Sequence, residues 1–161
     1  MTITEQMKLM LDALAEWHKV VGGSVKVAND EPHLFTILGA APGAARTAIL
    51  FDEETARSEK NNDLLGRVDR KFIVAISRGR GFNLDQGKSL TEGVAQGKPM
   101  FELVEEAREV LRGLRMLGEN EPVLYYLGSK RLQFQGVTTD AYAITLGLAA
   151  DIPDQYDPAD E

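Results

Sequence analysis

The chain has 161 residues, of which 43% are hydrophobic and 27% are charged, an ordinary composition for a single globular domain. Its net charge of −7 argues against a dedicated nucleic-acid binder, because such a protein needs a basic surface to neutralise phosphates. The lack of cysteine excludes disulfides and thiolate metal sites, and no stretch approaches the roughly 18 consecutive apolar residues that predict a membrane span.

The first predicted element is an amphipathic helix from about Thr4 to Val21. Its apolar residues recur at spacings of three and four and form one stripe: Met7, Met10, Leu11, Leu14, Trp17 and Val21. Thr2 and Glu5 have capping-box spacing at the start of this helix, and Gly22 with the following glycine predicts its end. The methionine and tryptophan side chains of the stripe are expected to pack in a core.

The next part of the chain predicts strands and a polar loop. Leu34–Leu38 is interpreted as a possible short strand within an otherwise unclear region. Thr47–Phe51 is a strand candidate, and the charged stretch Asp52–Gly66 is expected to be a solvent loop. Val68–Arg78 is a clear strand, because apolar residues alternate along it. One face of this strand is predicted to hold Phe72, Val74 and Ile76.

A long glycine-rich segment, from Gly79 to Lys98, follows that strand. Loops of more than about 12–15 residues are uncommon inside compact domains and tend to be functional. Its apolar side chains need a covering surface, and the basic side chains in and beside it can pair with acidic neighbours. The segment therefore predicts a protein–protein interface, with an inert loop as the alternative. The candidate interface residues are Arg78, Arg80, Phe82, Leu84 and Lys88.

The last predicted elements are a helix and a group of strands. Pro99 suits the first turn of a helix that extends to about Leu117. Two strands, Val123–Leu127 and Lys130–Gln135, are expected on either side of a Gly-Ser pair, followed by the alternating strand Val137–Leu148. The short connections favour antiparallel neighbours.

This order of elements predicts an α+β fold. We expect a mixed, mostly antiparallel sheet with two main helices packed on one face, since strands and helices alternate too rarely for a parallel doubly wound sheet. Residues 1–152 are expected to form one domain, and the acidic residues 153–161 a short flexible tail.

No motif in the chain predicts catalysis, a cofactor or a metal site. Gly87-Lys88-Ser89 ends like a phosphate-binding loop, but Phe82 stands where the pattern requires its first glycine, and no helix opens after it. His18 and His33 are expected to be ordinary surface or half-buried histidines, without a recognisable nucleophile motif. A small nucleotide-binding enzyme that uses Gly87-Lys88-Ser89 remains an alternative.

The order of elements resembles the tail-terminator (tail completion) proteins of long-tailed bacteriophages and related prophage elements. The resemblance spans about Thr4 to Ile152 and is carried by TEQMKLMLDALAEWHKVV, DRKFIVAISR, PMFELVEEAREVLRGL and RLQFQGVTTDAYAITLGLAADI. Related neck or head–tail joining proteins are similar in the same way. The segments Gly79–Lys98 and Asp52–Gly66 look long for a minimal member of the family.

The resemblance implies a non-enzymatic virion assembly protein without a cofactor. Such a subunit forms a homo-oligomeric ring, expected to be a hexamer, that caps the tail tube at its head-proximal end and presents a surface for head joining. The implied partners are further copies of the chain, the tail tube protein and a head–tail connector protein, with no sequence-specific nucleic acid and no membrane. Assembly is expected in the cytoplasm of a host bacterium. A bacterial protein-binding adaptor is a further alternative.

Overall fold

The computed structural model describes residues 2–39, 44–56, 67–79, 98–112, 114, 124–133 and 139–151. Within these residues the chain forms three helices and five strands. In chain order they are α1 (Ile3–Val21), β1 (Ser24–Val27), α2 (Glu31–Gly39), β2 (Arg46–Ala56), β3 (Arg67–Gly79), α3 (Met100–Arg112), β4 (Tyr125–Leu132) and β5 (Thr139–Asp151).

The five strands form one mixed sheet in the order β1-β2-β3-β5-β4. β1 and β2 are parallel and are connected through α2, whereas the other three neighbouring pairs are antiparallel. The predicted α+β class with a mostly antiparallel sheet is confirmed. Because β1 and β4 are the outermost strands, they form the two edges of the described sheet.

The main core lies between the sheet and helices α1 and α3, which pack on the same face as predicted. The apolar stripe of α1 contributes Met10 and Leu14, both fully buried. These side chains meet the predicted inner face of β3, Phe72, Val74 and Ile76. Full burial of one such side chain stabilises the fold by roughly 1.5–3 kcal/mol.

The opposite face of the sheet carries α2, and here one sequence interpretation is wrong. Leu34–Leu38 belongs to this helix and not to a strand. The Asp30 carboxylate accepts a hydrogen bond from the His33 amide at 2.8 Å and so caps the first turn. An apolar run of this length is too short to show the hydrophobic period that would distinguish a strand from a buried helix. The apolar side of α2 packs on small residues of the sheet, Ala48, Ala75 and Ala143.

The charged stretch after Phe51 is also different from the prediction. β2 continues to Ala56, so the first part of Asp52–Gly66 is strand, while residues 57–66 lie outside the described part. Ion pairs between β2 and β3 stabilise this continuation: Lys71 donates to Glu53 at 3.0 Å, and Arg70 donates to Glu54 at 2.8 Å.

Two further strand predictions need correction. Val123–Leu127 and Lys130–Gln135 were expected as two strands, but Tyr125–Leu132 is one strand with a bulge, and its register shifts between Tyr126 and Gly128. Gly128 has φ of 152°, a conformation that favours glycine, so the Gly-Ser pair bends the strand without ending it. β1 was not predicted at all.

The predicted boundaries of the last helix and of the domain can be compared with the structure only in part. α3 begins directly after Pro99 as expected and spans Met100–Arg112, while residues 113 and 115–117 of the predicted helix lie outside the described part. The predicted acidic tail lies outside the described residues, and the single-domain boundary stays a prediction. None of the described helices combines the length and apolar character that a membrane crossing requires.

Candidate functional site

Of the five predicted interface residues, the described part of the chain contains Arg78 alone; Arg80, Phe82, Leu84 and Lys88 lie outside it, as does Gly87-Lys88-Ser89. Arg78 lies near the end of β3 opposite Asp140 of β5, and both side chains are buried. Burial lowers the pKa of Arg78, while the Asp140 carboxylate opposes this shift. Its guanidinium donates to the backbone carbonyl of Lys98.

This contact holds the end of β3 next to the beginning of α3. Lys98 is fixed in turn by α3, because its ammonium donates to Glu106 Oε1 at 2.8 Å and lies 3.9 Å from Glu102 Oε1. The hydrogen bond to Glu106 raises the pKa of Lys98. The described residues at the two ends of the glycine-rich segment, Arg78 and Lys98, are therefore held next to each other.

The β4 edge of the sheet exposes large apolar side chains. Tyr125, Tyr126 and Leu127 are 41%, 38% and 49% exposed, and they follow one another on the outermost strand. An exposed apolar edge strand favours pairing with another polypeptide, and monomeric proteins generally protect such edges. The Tyr125 ring lies on Gly147 of β5, where an added Cβ would come within 2.5 Å of ring atoms.

Aromatic and arginine side chains surround this edge on the α3 side. Phe101 is 41% exposed and packs edge to face on Tyr142, with ring centroids 5.6 Å apart. The Arg108 guanidinium lies 5.5 Å from the centroid of the Tyr126 ring. We call the surface formed by Phe101, Arg108, Tyr126, Leu127 and Arg131 the β4 patch. Interface cores are enriched in these aromatic residues and in arginine.

An acidic groove of about 580 Å³ lies along α3 and shares Arg108 with the β4 patch. It is lined by Trp17 of α1 and by the α3 residues Glu102, Glu105, Glu106, Arg108, Glu109 and Val110. Trp17 is only 8% exposed, and no described residue accepts a hydrogen bond from its indole N–H. The buried Glu106 Oε2 likewise finds no donor among the described residues. Three of the four glutamates already have cationic partners within the chain: Glu102 and Glu106 lie next to Lys98, and Glu109 lies next to Arg108 and Arg112.

Other buried polar side chains connect α1 to the sheet. Arg70, 5% exposed, donates to Glu54 at 2.8 Å and to the buried Gln6 amide oxygen at 2.9 Å. His18 was expected to be a surface or half-buried histidine but is 4% exposed, and its Nε2 lies 2.7 Å from the Thr47 hydroxyl. Because Thr47 is fully buried, this hydroxyl–imidazole pair cannot meet a substrate.

The structure brings together groups suited to binding a protein. Among the described residues, no group of three or more histidine and carboxylate side chains is placed to hold a metal ion. The β4 patch was not predicted, because the sequence gives the residue types of β4 but not its place at the sheet edge. The run Tyr125-Tyr126-Leu127 before a glycine was the available signal.

Comparison with known proteins finds a similarity in structure. No protein family model matches the chain, and no curated protein sequence matches it. One of the solved structures that match is a chain from the virion of a native gene transfer agent (GTA) particle. The two chains are 15% identical, with a TM-score of 0.51, over 89% of this chain and 90% of that chain. This similarity shows that the two chains share a fold over nearly their whole length.

Proposed function

We propose that this protein is a non-enzymatic virion assembly protein, a tail-terminator-like ring subunit that caps the tail tube and presents a surface for head joining. The observation that carries the proposal is the fold shared with a chain of a gene transfer agent virion along about nine tenths of both chains. A related neck or head–tail joining role draws on the same observation.

The exposed β4 edge supports an assembly role in physical terms. A subunit that works by contact with other subunits needs apolar surface that stays accessible until assembly. Tyr126 and Leu127 provide such surface on an edge strand of the described sheet. Further copies of the chain, the tail tube protein and a head–tail connector are the partners of this role.

The glycine-rich segment is the second contact surface in this proposal. Its two ends are held together by the Arg78–Lys98 contact, so the segment leaves from a fixed base. We assign Arg80, Phe82, Leu84 and Lys88 to contacts with the tube or with a neighbouring subunit, while Arg78 supports the base of the segment.

Deletion of the gene in a strain that produces the particles tests the function. Without a terminator, tail tubes should grow to uncontrolled lengths and heads should remain separate, as seen by negative-stain electron microscopy. Wild-type protein supplied from a plasmid should restore tails of one length joined to heads. A Phe82→Ser/Leu84→Ser variant should fail to restore them, whereas a Lys8→Glu variant, changed at an exposed α1 residue, should succeed. Normal tails in the deletion strain would refute the proposal.

A further inference from the structure

Two opposite charges are buried where the end of β3 meets the beginning of β5. Arg78 is the second to last residue of β3 and lies directly opposite Asp140, the second residue of β5. The two residues are only 4% and 1% exposed. Because side chains alternate along a strand, both lie on the same face as Ile76 and Tyr142, which is the face of the main core. The charges therefore stand where the alternation of the strands would continue the apolar core.

Stability alone does not account for such a pair. A buried ion pair loses the hydration of both charges, and apolar residues of similar volume in its place often leave a protein as stable or make it more stable. Burial lowers the pKa of Arg78 for the same reason, while the Asp140 carboxylate favours the charged guanidinium. What apolar residues cannot supply is a charged donor that fixes a neighbouring stretch of backbone. The pair therefore points to positioning.

The backbone that Arg78 positions is that of Lys98. The Arg78 guanidinium donates to the Lys98 carbonyl. Lys98 directly precedes Pro99, whose own carbonyl accepts a backbone hydrogen bond from Leu103 of α3 at 3.2 Å. The Lys98 ammonium is held by the same helix, through Glu106 at 2.8 Å. From inside the core, Arg78 thus links the end of β3 to the beginning of α3.

We infer that Asp140 is a positioning residue for the glycine-rich segment Gly79–Lys98: it orients the Arg78 guanidinium onto the Lys98 carbonyl and so fixes both ends of the segment. This inference rests on the proposed function, in which the segment is a contact surface. Since Asp140 is buried, it acts through Arg78 and not by contact with a partner. A segment with fixed ends has fewer arrangements to lose on binding than one whose ends can separate, so its contacts give a higher affinity.

Replacement by an apolar pair separates assembly from folding. Arg78→Met/Asp140→Leu should leave the urea midpoint of unfolding unchanged or raise it, because the apolar core then continues. In the strain that lacks the gene, the same variant should fail to restore tails of one length. The matched control is Glu53→Gln/Lys71→Gln, which removes an exposed ion pair between β2 and β3 and should restore them.

Hydrogen exchange shows whether the buried pair holds the beginning of α3. In the apolar variant, the Leu103 amide should exchange about tenfold faster or more, because a hydrogen bond from a charged donor has been lost next to it. Exchange in the middle of β3 and β5 should stay as in the wild type, whereas a general loss of stability would raise it everywhere.

Arg78→Lys is a second, independent variant. It keeps a positive charge beside Asp140, so the folded state is spared an unpaired carboxylate, but an ammonium lacks the planar fork of donors that a guanidinium has. Faster exchange at Leu103 and failure to restore tails of one length are expected here too. If the apolar variant does not fold, Arg78→Lys decides alone.

The outcomes separate this inference from the proposed function. A folded variant that restores tails of one length, or that leaves exchange at Leu103 unchanged, overturns the inference while the function stands. A clearly lower urea midpoint of the apolar variant overturns it as well, because the pair would then serve stability. Normal tails in the deletion strain overturn the function whatever the exchange at Leu103 shows.

Discussion

Buried His18 connects the end of α1 to β2, and its surroundings favour the neutral ring. Its Nδ1 lies 2.8 Å from the Gly22 carbonyl oxygen, which can only accept, so Nδ1 carries the proton. Nε2 then accepts from the Thr47 hydroxyl at 2.7 Å. Burial lowers the pKa of His18, and the hydrogen bond to Gly22 opposes the shift in part.

This histidine predicts a pH dependence of stability. As pH falls through about 6.5, the unfolded chain takes up a proton that the folded state resists, so the free energy of unfolding falls by up to about 1.4 kcal/mol per pH unit. The contribution is fully present above that pH and is lost in more acidic solution. His18→Gln should flatten this part of the profile, although it lowers stability at pH 8. Urea denaturation between pH 8 and pH 5 measures it.

Substitution of the half-buried His33 by Gln serves as the control for that experiment, because it removes an imidazole without changing the His18–Thr47 pair. Equal profiles for wild type and His18→Gln would show that His18 does not resist protonation.

At the scale of residues, the sequence predicted a contact between residues close together in the chain and missed contacts between distant residues. The Thr2–Glu5 capping box was predicted and is present, because its members are three residues apart and act within one helical turn. The His18–Thr47 pair joins residues 29 positions apart, so no local pattern contained it. The same holds for Gln6 and Arg70, 64 positions apart, which are neighbours only once α1 lies on the sheet.

At the scale of elements, the cap of α1 gives a direct test. The Thr2 hydroxyl accepts from the Glu5 amide at 3.1 Å, and the Glu5 carboxylate accepts from the Thr2 amide at 2.8 Å. Thr2→Ala removes the first bond and should lower the free energy of unfolding by about 1 kcal/mol. Hydrogen exchange should rise first in the initial turn of α1.

Thr36→Ala is the matched control. Thr36 lies inside α2, where its hydroxyl donates a hydrogen bond to the Pro32 carbonyl and does not cap the helix. There alanine has the higher helix propensity, so stability should stay the same or increase slightly. Equal losses from both substitutions would mean that the cap of α1 contributes nothing specific.

Elements with a long and regular period were the ones that the sequence predicted well. α1, β3 and the alternating strand β5 were recognised because each presents one apolar face to the main core. α2 was predicted as a strand because short apolar runs occur both in helices and in buried strands. β1 was missed because it is only four residues long. The predicted strand ended before the real end of β2, because the charged end of β2 is stabilised by Lys71 and Arg70 of β3.

At the scale of the whole molecule, the β4 patch could not be predicted from the sequence, because it depends on the order of the strands in the sheet. The run Tyr125-Tyr126-Leu127 has the same residue types in a central strand and in an edge strand. Only the order β1-β2-β3-β5-β4 places it at an edge and exposes it. The acidic groove likewise depends on α1 and α3 lying side by side, which no local pattern encodes.

The net charge of the chain predicts that salt favours self-association. Every copy carries a net charge of −7, so copies repel one another at long range. A chain of this length has a radius of gyration of about 15 Å, so this repulsion acts fully at 10 mM salt, where the Debye length is about 30 Å, and is already screened at 0.1 M, where it is about 10 Å.

Self-association of the proposed ring subunit should therefore be stronger at about 0.1 M salt than at about 10 mM, because screening removes most of the repulsion between copies. Sedimentation velocity over a concentration series at these two salt concentrations measures the difference. Association that is equal at both, or stronger at the lower salt concentration, would show that the net charge does not oppose contact between copies.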